Sequence, residues 1–192
     1  VIFNKWDLIK NKKKCKNKLL SFIKFSLNKI NSKKIIFISS YPKSGNTWVR
    51  CIISSFLNNQ NGKFNFNDLG RTGLFSRESH FTHLKDLEYQ ENGNLNFNFI
   101  SNSWIKAQQK INKESKGIRF FKTHSIREIS NKYFTDQTVC LGFIYIVRDP
   151  RDIAISYTHH CGGDLNVAIE TMLYNKKNYA SHHKTNELIS TW

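Results

Sequence analysis

Three apolar stretches, rich in β-branched and aromatic residues, stand out along a Lys- and Asn-rich chain: Ile35 to Ile38, Ile118 to Phe121 and Leu141 to Val147. Short, mainly apolar runs of this kind predict strands, and Leu141 to Val147 reads as a buried one. Between and after them the apolar positions recur at helical spacing. This predicts helices over Trp48 to Leu57, Phe99 to Glu114, from Arg151 onward, and over Leu165 to Tyr174. Strand and helix signals alternate, so the expected architecture is α/β, a parallel sheet flanked by helices in three layers. Residues 60–98 are rich in Asn, Gly and Phe without a clear period, and are expected to form loops and short helices around a pocket.

Two strand ends carry the candidate chemistry. After the first strand comes Tyr41-Pro42-Lys43-Ser44-Gly45-Asn46-Thr47-Trp48. A strand that hands over to a helix through Lys, Gly and small polar residues builds an anion cradle. The helix start leaves unpaired backbone N–H groups, and its dipole favours negative charge. Gly45 lets the backbone approach the anion. Ser44 and Thr47 add hydroxyl donors, and Lys43 adds a full charge. Lys43 precedes Gly45, so the loop is not the G-x-x-x-x-G-K-[ST] of nucleoside-triphosphate enzymes, and that pattern occurs nowhere in the chain. After the third strand comes Arg148-Asp149-Pro150-Arg151-Asp152-Ile153-Ala154-Ile155-Ser156. Asp149 and Pro150 suit the N-cap and first position of the next helix. Arg148 stands at a strand end, where α/β sheets bind ligands. It could instead pair with Asp149 or Asp152.

Together these strings resemble the sulfotransferases that use 3′-phosphoadenosine 5′-phosphosulfate (PAPS). YPKSGNTW is similar to the family's 5′-phosphosulfate loop and RDPRDIAIS to its 3′-phosphate motif. Phe120-Phe121-Lys122-Thr123-His124 resembles the strand that ends in the family's base. The wording is most similar to bacterial sulfotransferase-domain proteins, and the likeness covers roughly residues 34–175. The resemblance implies a P-loop-NTPase-like sulfotransferase fold and PAPS as co-substrate. His124 would be the general base, Lys43 would act on the leaving group, and Lys122 would help hold the nonbridging oxygens. Ser44, Gly45, Asn46 and Thr47 would bind the 5′-phosphosulfate, Trp48 would stack on adenine, and Arg148 and Ser156 would hold the 3′-phosphate. Many family members carry Thr where Asn46 stands. The family also supplies a further core strand and a late basic segment beyond the point where Trp192 ends this chain, so the domain is expected to be incomplete. The alternatives are a nucleotide kinase or other phosphoryl-transfer enzyme on a related fold, and a non-catalytic PAPS-binding remnant. The acceptor is expected to be a small molecule, lipid or carbohydrate bearing a hydroxyl or amine.

Charge changes this picture little. The net charge is +16, but residues 1–34 hold 11 Lys and one acid, so most of the excess is N-terminal. Residues 1–33 are expected to form a basic lead-in, with residues 34–192 as the domain. Leu19 to Ile30 has helical spacing flanked by lysines. The simpler expectation is a helix packed on the domain; the alternative is peripheral membrane contact through residues 16–30. No nucleic-acid-binding signature is present, so nucleic acid is not expected as a partner. No apolar run is long enough to span a membrane. Cys15, Cys51, Cys140 and Cys161 are scattered without a C-x-x-C, which fits a reducing, cytoplasmic setting. His159, His160, Cys161, His182 and His183 lack ligand spacing, and no metal is expected. Arg71, Arg77, His80 and His83 are candidates for acceptor contact, with solvent exposure the simpler fate.

Overall fold

The computed structural model describes residues 32–58, 65–161, 163–174, 178–180 and 186–189. The stretch 16–30, Cys15, His182 and His183 lie outside the described residues. The chain divides into two units, Val1–Lys33 and Lys34–Trp192, and the second carries every element named below.

The element order is β1 (Ile35–Ser40), α1 (Asn46–Asn58), β2 (Gly73–Leu74), α2 (Phe97–Glu114), β3 (Arg119–Thr123), β4 (Glu128–Ile129), β5 (Lys132–Tyr133), β6 (Cys140–Ile146), α3 (Pro150–Cys161), α4 (Leu165–Tyr174), β7 (Asn178–Ala180) and β8 (Asn186–Leu188). Short 3₁₀ turns at Phe66–Arg71 and Glu78–His80 flank β2. The main sheet is four-stranded, in the order β2-β3-β1-β6, and its pairs are parallel. The expected α/β architecture is therefore what the chain adopts. Two antiparallel hairpins, β4–β5 and β7–β8, lie outside that sheet.

Strand β1 is central because it can be buried from both sides: Ile35, Phe37 and Ile38 are fully buried and Ser40 nearly so. Phe37 is the packing hub. Its ring lies 5.4 Å from Phe75, 4.9 Å from Phe134 and 5.6 Å from Phe143. Burying one such ring contributes about 1.5–3 kcal/mol. Helix α2 places Ile100, Trp104 and Ala107 against this cluster, one helical face at i, i+4 and i+7. Polar groups under that face are satisfied. Gln108 Nε2 donates to the Phe134 carbonyl at 2.6 Å. Asn112 Oδ1 accepts from Lys34 N at 2.8 Å, and its Nδ2 donates to the Val139 carbonyl at 2.7 Å. Asn112 thus joins the residue before β1 to the one before β6. A smaller cluster pairs Ile153, Ala154 and Tyr157 of α3 with Ala168 and Met172 of α4.

Capping sets helix boundaries that periodicity alone misplaced. Helix α2 begins at Phe97 rather than Phe99, because Asn96 Oδ1 accepts from Asn98 N at 2.8 Å. Helix α1 begins at Asn46 rather than Trp48. Asp149 does cap α3: its Oδ1 accepts from Arg151 N at 2.9 Å, and Pro150 is the first helical residue. Strand β2 falls inside the stretch expected to be only loops and short helices. The run Leu141 to Val147, expected to be a buried strand, is instead the other edge: among the described residues only β1 pairs with β6, and Phe143, Tyr145 and Val147 are more than half exposed.

Candidate active site

Register brings the predicted residues together. Ser39 of β1 pairs with Thr123 of β3 and with Tyr145 of β6, and Ser40 pairs with Ile146. The next residues of each strand therefore emerge at one end of the sheet: the 41–45 turn, His124, and Arg148. Chain order reverses here, since β3 lies on one side of β1 and β6 on the other. Ligands of open α/β sheets bind at such a reversal, outside the strands' carboxyl ends.

The turn after β1 is tight. Ser44 N donates to the Tyr41 carbonyl at 3.3 Å. Lys43 has φ +67° and Gly45 φ +99°. A left-handed lysine costs on the order of 1–3 kcal/mol and persists only where the surroundings fix it. Val49 N, bonded to the Gly45 carbonyl at 3.2 Å, is the start of α1's internal ladder. The N–H groups of the preceding helical turn have no intrahelical acceptor. Ser44 Oγ and Asn46 Oδ1 are buried without a partner.

A cavity of about 510 Å³ opens at this helix start. Its walls include Lys43, Gly45, Asn46, Thr47, Trp48, Lys122, His124, Arg148 and Ser156. Nine of the ten residues singled out in the sequence thus converge. The tenth, Ser44, instead lines an adjoining cavity of about 560 Å³. The first cavity is strongly cationic, and Glu187 is the only carboxylate among its described lining residues. The second sets Ile126, Phe134, Phe143, Tyr145 and Val147 beside hydroxyls such as Ser125 and Thr135 and the Arg127 side chain. His124 lines both.

His124 is held in one tautomer. Its Nδ1 donates to the Ser40 carbonyl at 2.6 Å. A carbonyl can only accept, so the neutral ring carries its proton on Nδ1 and keeps its lone pair on Nε2. Burial pushes the imidazole below its usual range and the Lys122 charge adds to this; Glu187 and the Ser40 carbonyl oppose it. Neutral imidazole is the form that can take a proton. Lys122 is also pushed down, first by burial, with Glu187 opposing and Arg50 assisting.

Arg148 both lines the cavity and is tethered. Its Nη1 donates to the Lys43 carbonyl at 3.1 Å, and its Nε lies 3.6 Å from Asp152 Oδ2. Asp149 pairs with Arg151 instead, and that guanidinium holds its carboxyl down at about 2. Trp48 is not core: 77% of it is exposed on the cavity wall.

A sulfotransferase-domain profile matches residues 33–184. The chain belongs to the sulfotransferase family. It is also similar to a luciferin sulfotransferase from Photinus pyralis, 28% identical over 131 residues, which are 65% of this chain. The match spans 32% of that protein's length.

Sequence reasoning missed Glu187. Its Oε1 accepts from Thr123 Oγ1 and from His124 N, each at 3.2 Å. Nothing near Glu187 in the chain signals this, because the partner lies more than 60 positions away. Ser40 was also missed, although its place one residue before the loop could have suggested it. Of the acceptor-contact candidates, Arg71, Arg77 and His83 are exposed. His80 is packed on Phe75, with Nδ1 donating to the Phe75 carbonyl at 2.7 Å. Cys140 is a buried thiol and Cys51 a half-buried one. Among the described residues no helix is long and apolar enough to cross a membrane.

Proposed function

We propose that residues 34–192 catalyse in-line sulfuryl transfer from PAPS to a hydroxyl on a small apolar or aromatic acceptor. The observation that carries this reading is the place of His124, on the shared wall of a cationic cavity and a second one rich in aromatic and aliphatic side chains. The donor supplies an activated sulfuryl group on a phosphate leaving group. The cationic cavity fits such a polyanionic donor: Lys43, Lys122 and Arg148 supply charge, and the start of α1 supplies unpaired N–H groups.

The roles of the residues follow from their places. Gly45, Asn46 and Thr47 offer backbone N–H groups to the 5′ end, and Thr47 adds its hydroxyl. Lys43 neutralises charge that develops on the leaving oxygen, a preorganised electrostatic contribution. Lys122 holds nonbridging oxygens. Arg148 and Ser156 hold the 3′-phosphate, and the exposed indole of Trp48 offers a face to adenine. His124 Nε2 takes the acceptor's proton. The aromatic and aliphatic side chains in the wall of the second cavity support an acceptor with an apolar or aromatic body.

A transfer assay with radiolabelled PAPS over a panel of phenols, alcohols, amines and sugars tests this. Label should pass to a phenol or apolar alcohol. Transfer of phosphate from ATP with none from PAPS would favour the phosphoryl-transfer alternative.

A further inference from the structure

Asn46 turns its side chain back onto β1 instead of toward the cationic cavity's anion site. Its Nδ2 donates to the Ile38 carbonyl at 2.9 Å and to Ser40 Oγ at 3.2 Å. The Ile38 carbonyl accepts only, which settles the end of the amide that carries nitrogen. The atom left over is Oδ1, buried and unpartnered. An anion at the helix start gains nothing from this side chain: both amide hydrogens are committed to β1, and the spare atom is an acceptor. The Asn46 backbone N–H is untouched by this.

The second link is Ser40. Its Oγ stands 3.3 Å from His124 Nδ1, and its carbonyl oxygen stands 2.6 Å from the same atom. One residue thus presents two oxygens to the imidazole N–H, and Asn46 fixes where one of them sits. Ser40 and Asn46 are both almost fully buried, so water cannot take over either contact.

We propose that Asn46 is a positioning residue for the base, acting through Ser40, and not a side-chain ligand of the sulfuryl donor. The inference rests on the proposed base role of His124. Oxygens that accept from Nδ1–H do two things: they hold the ring in the tautomer whose Nε2 is basic, and they stabilise the imidazolium formed when Nε2 gains the acceptor's proton. The helix that follows the donor loop therefore also sets the orientation of the base that takes the attacking acceptor's proton. A threonine in place of Asn46 offers one hydrogen and cannot serve both β1 acceptors.

The test uses Asn46→Ala, Asn46→Thr, Ser40→Ala and the Asn46→Ala/Ser40→Ala double variant. Turnover at saturating PAPS should fall about tenfold in Asn46→Ala. The acidic limb of its pH profile should move down, because a stabiliser of the charged ring is lost. Affinity for 3′,5′-ADP by calorimetry should stay within about threefold, which is less than one hydrogen bond to a charged group would give. The double variant should be no worse than the poorer single, as expected of one chain of contacts. Nitrogen NMR of the His124 ring should show the Nδ1–H tautomer in the parent and a mixture in Asn46→Ala. Ser40→Ala keeps the carbonyl bond and serves where Asn46→Ala does not fold. A loss of 3′,5′-ADP affinity of tenfold or more, with the pH profile and ring spectrum unchanged, would overturn the inference and make Asn46 a ligand. The ring spectrum needs no turnover. Failure of the sulfuryl-transfer reading, seen as full activity in His124→Ala, therefore registers separately.

Discussion

Arg148 Nη1 donates to the Lys43 carbonyl at 3.1 Å, so the turn after β6 is tied to the turn after β1. The two cationic side chains proposed to hold opposite ends of PAPS thus share one backbone atom. Arg148→Ala removes a charge from the cavity and a support from the left-handed lysine. The 3′,5′-ADP dissociation constant should rise about 10–100-fold, the range for a hydrogen bond to a charged group. Arg148→Lys should recover only part of this, because an ammonium lacks the planar fork. Isothermal calorimetry reads both; unchanged affinity in Arg148→Ala would remove the 3′-phosphate assignment.

His124→Ala should lower turnover by about 10²–10⁴-fold and leave 3′,5′-ADP affinity near that of the parent. Because burial and Lys122 push the imidazole below its usual range, the base stays neutral and competent at pH values below about 6.5. The acidic limb of the turnover profile should therefore lie below that value. Glu187 pushes the other way. Glu187→Gln should move the limb lower still, while its amide oxygen can still accept from Thr123 and His124 N. An upward move of the limb would contradict the arrangement.

Acid should weaken the fold through two histidines. Burial lowers the pKa of His80, and Arg77, Arg119 and His83 add to this against the Phe75 carbonyl. His124 is lowered as well. For each, the unfolded chain binds more protons than the folded one just below about pH 6.5, so stability falls as pH drops through that window. Thermal unfolding at pH 5 and pH 7.5 should show a lower midpoint at pH 5. His80→Gln can still donate to the Phe75 carbonyl but cannot titrate. It should cost about 1–2 kcal/mol at pH 7.5 and flatten the pH dependence; an unaltered slope would acquit His80.

Asn112 is the strongest structural target outside the site. It bonds the start of β1 and the residue before β6 at once. Asn112→Ala leaves the buried Val139 carbonyl and Lys34 N–H without those partners, at about 1–3 kcal/mol each. The unfolding midpoint should drop markedly. Asn112→Asp should be intermediate, since one oxygen can still accept from Lys34 N.

Periodicity and chemistry at strand ends were readable where signals are local. Ile35 to Ile38 and Leu141 to Val147 are apolar enough to announce strands, though only the first is buried, and Lys43, Gly45 and Arg148 sit at their ends. Asp149 followed by Pro150 announces a cap through nearest-neighbour geometry. Gly73–Leu74 is too short to carry a period and becomes a strand only because β3 lies alongside it. The β4–β5 hairpin turns through Ser130 and Asn131, whose φ values of +49° and +60° suit a two-residue primed turn. Asn131 was the available signal, diluted by asparagine throughout the chain. Glu187 reaches His124 only through tertiary folding. The aim of the Asn46 amide is likewise decided by which β1 carbonyl lies open beneath it.

On the proposed reading, the cationic cavity between the β1 and β6 turns holds a phosphosulfate nucleotide. Calorimetric titration of the protein with PAPS, 3′,5′-ADP and ATP tests it most directly. The account predicts saturable heat with PAPS and 3′,5′-ADP, weaker binding of ATP, and loss of both signals in Lys43→Ala. No heat with PAPS, or ATP binding more tightly than 3′,5′-ADP, would contradict it.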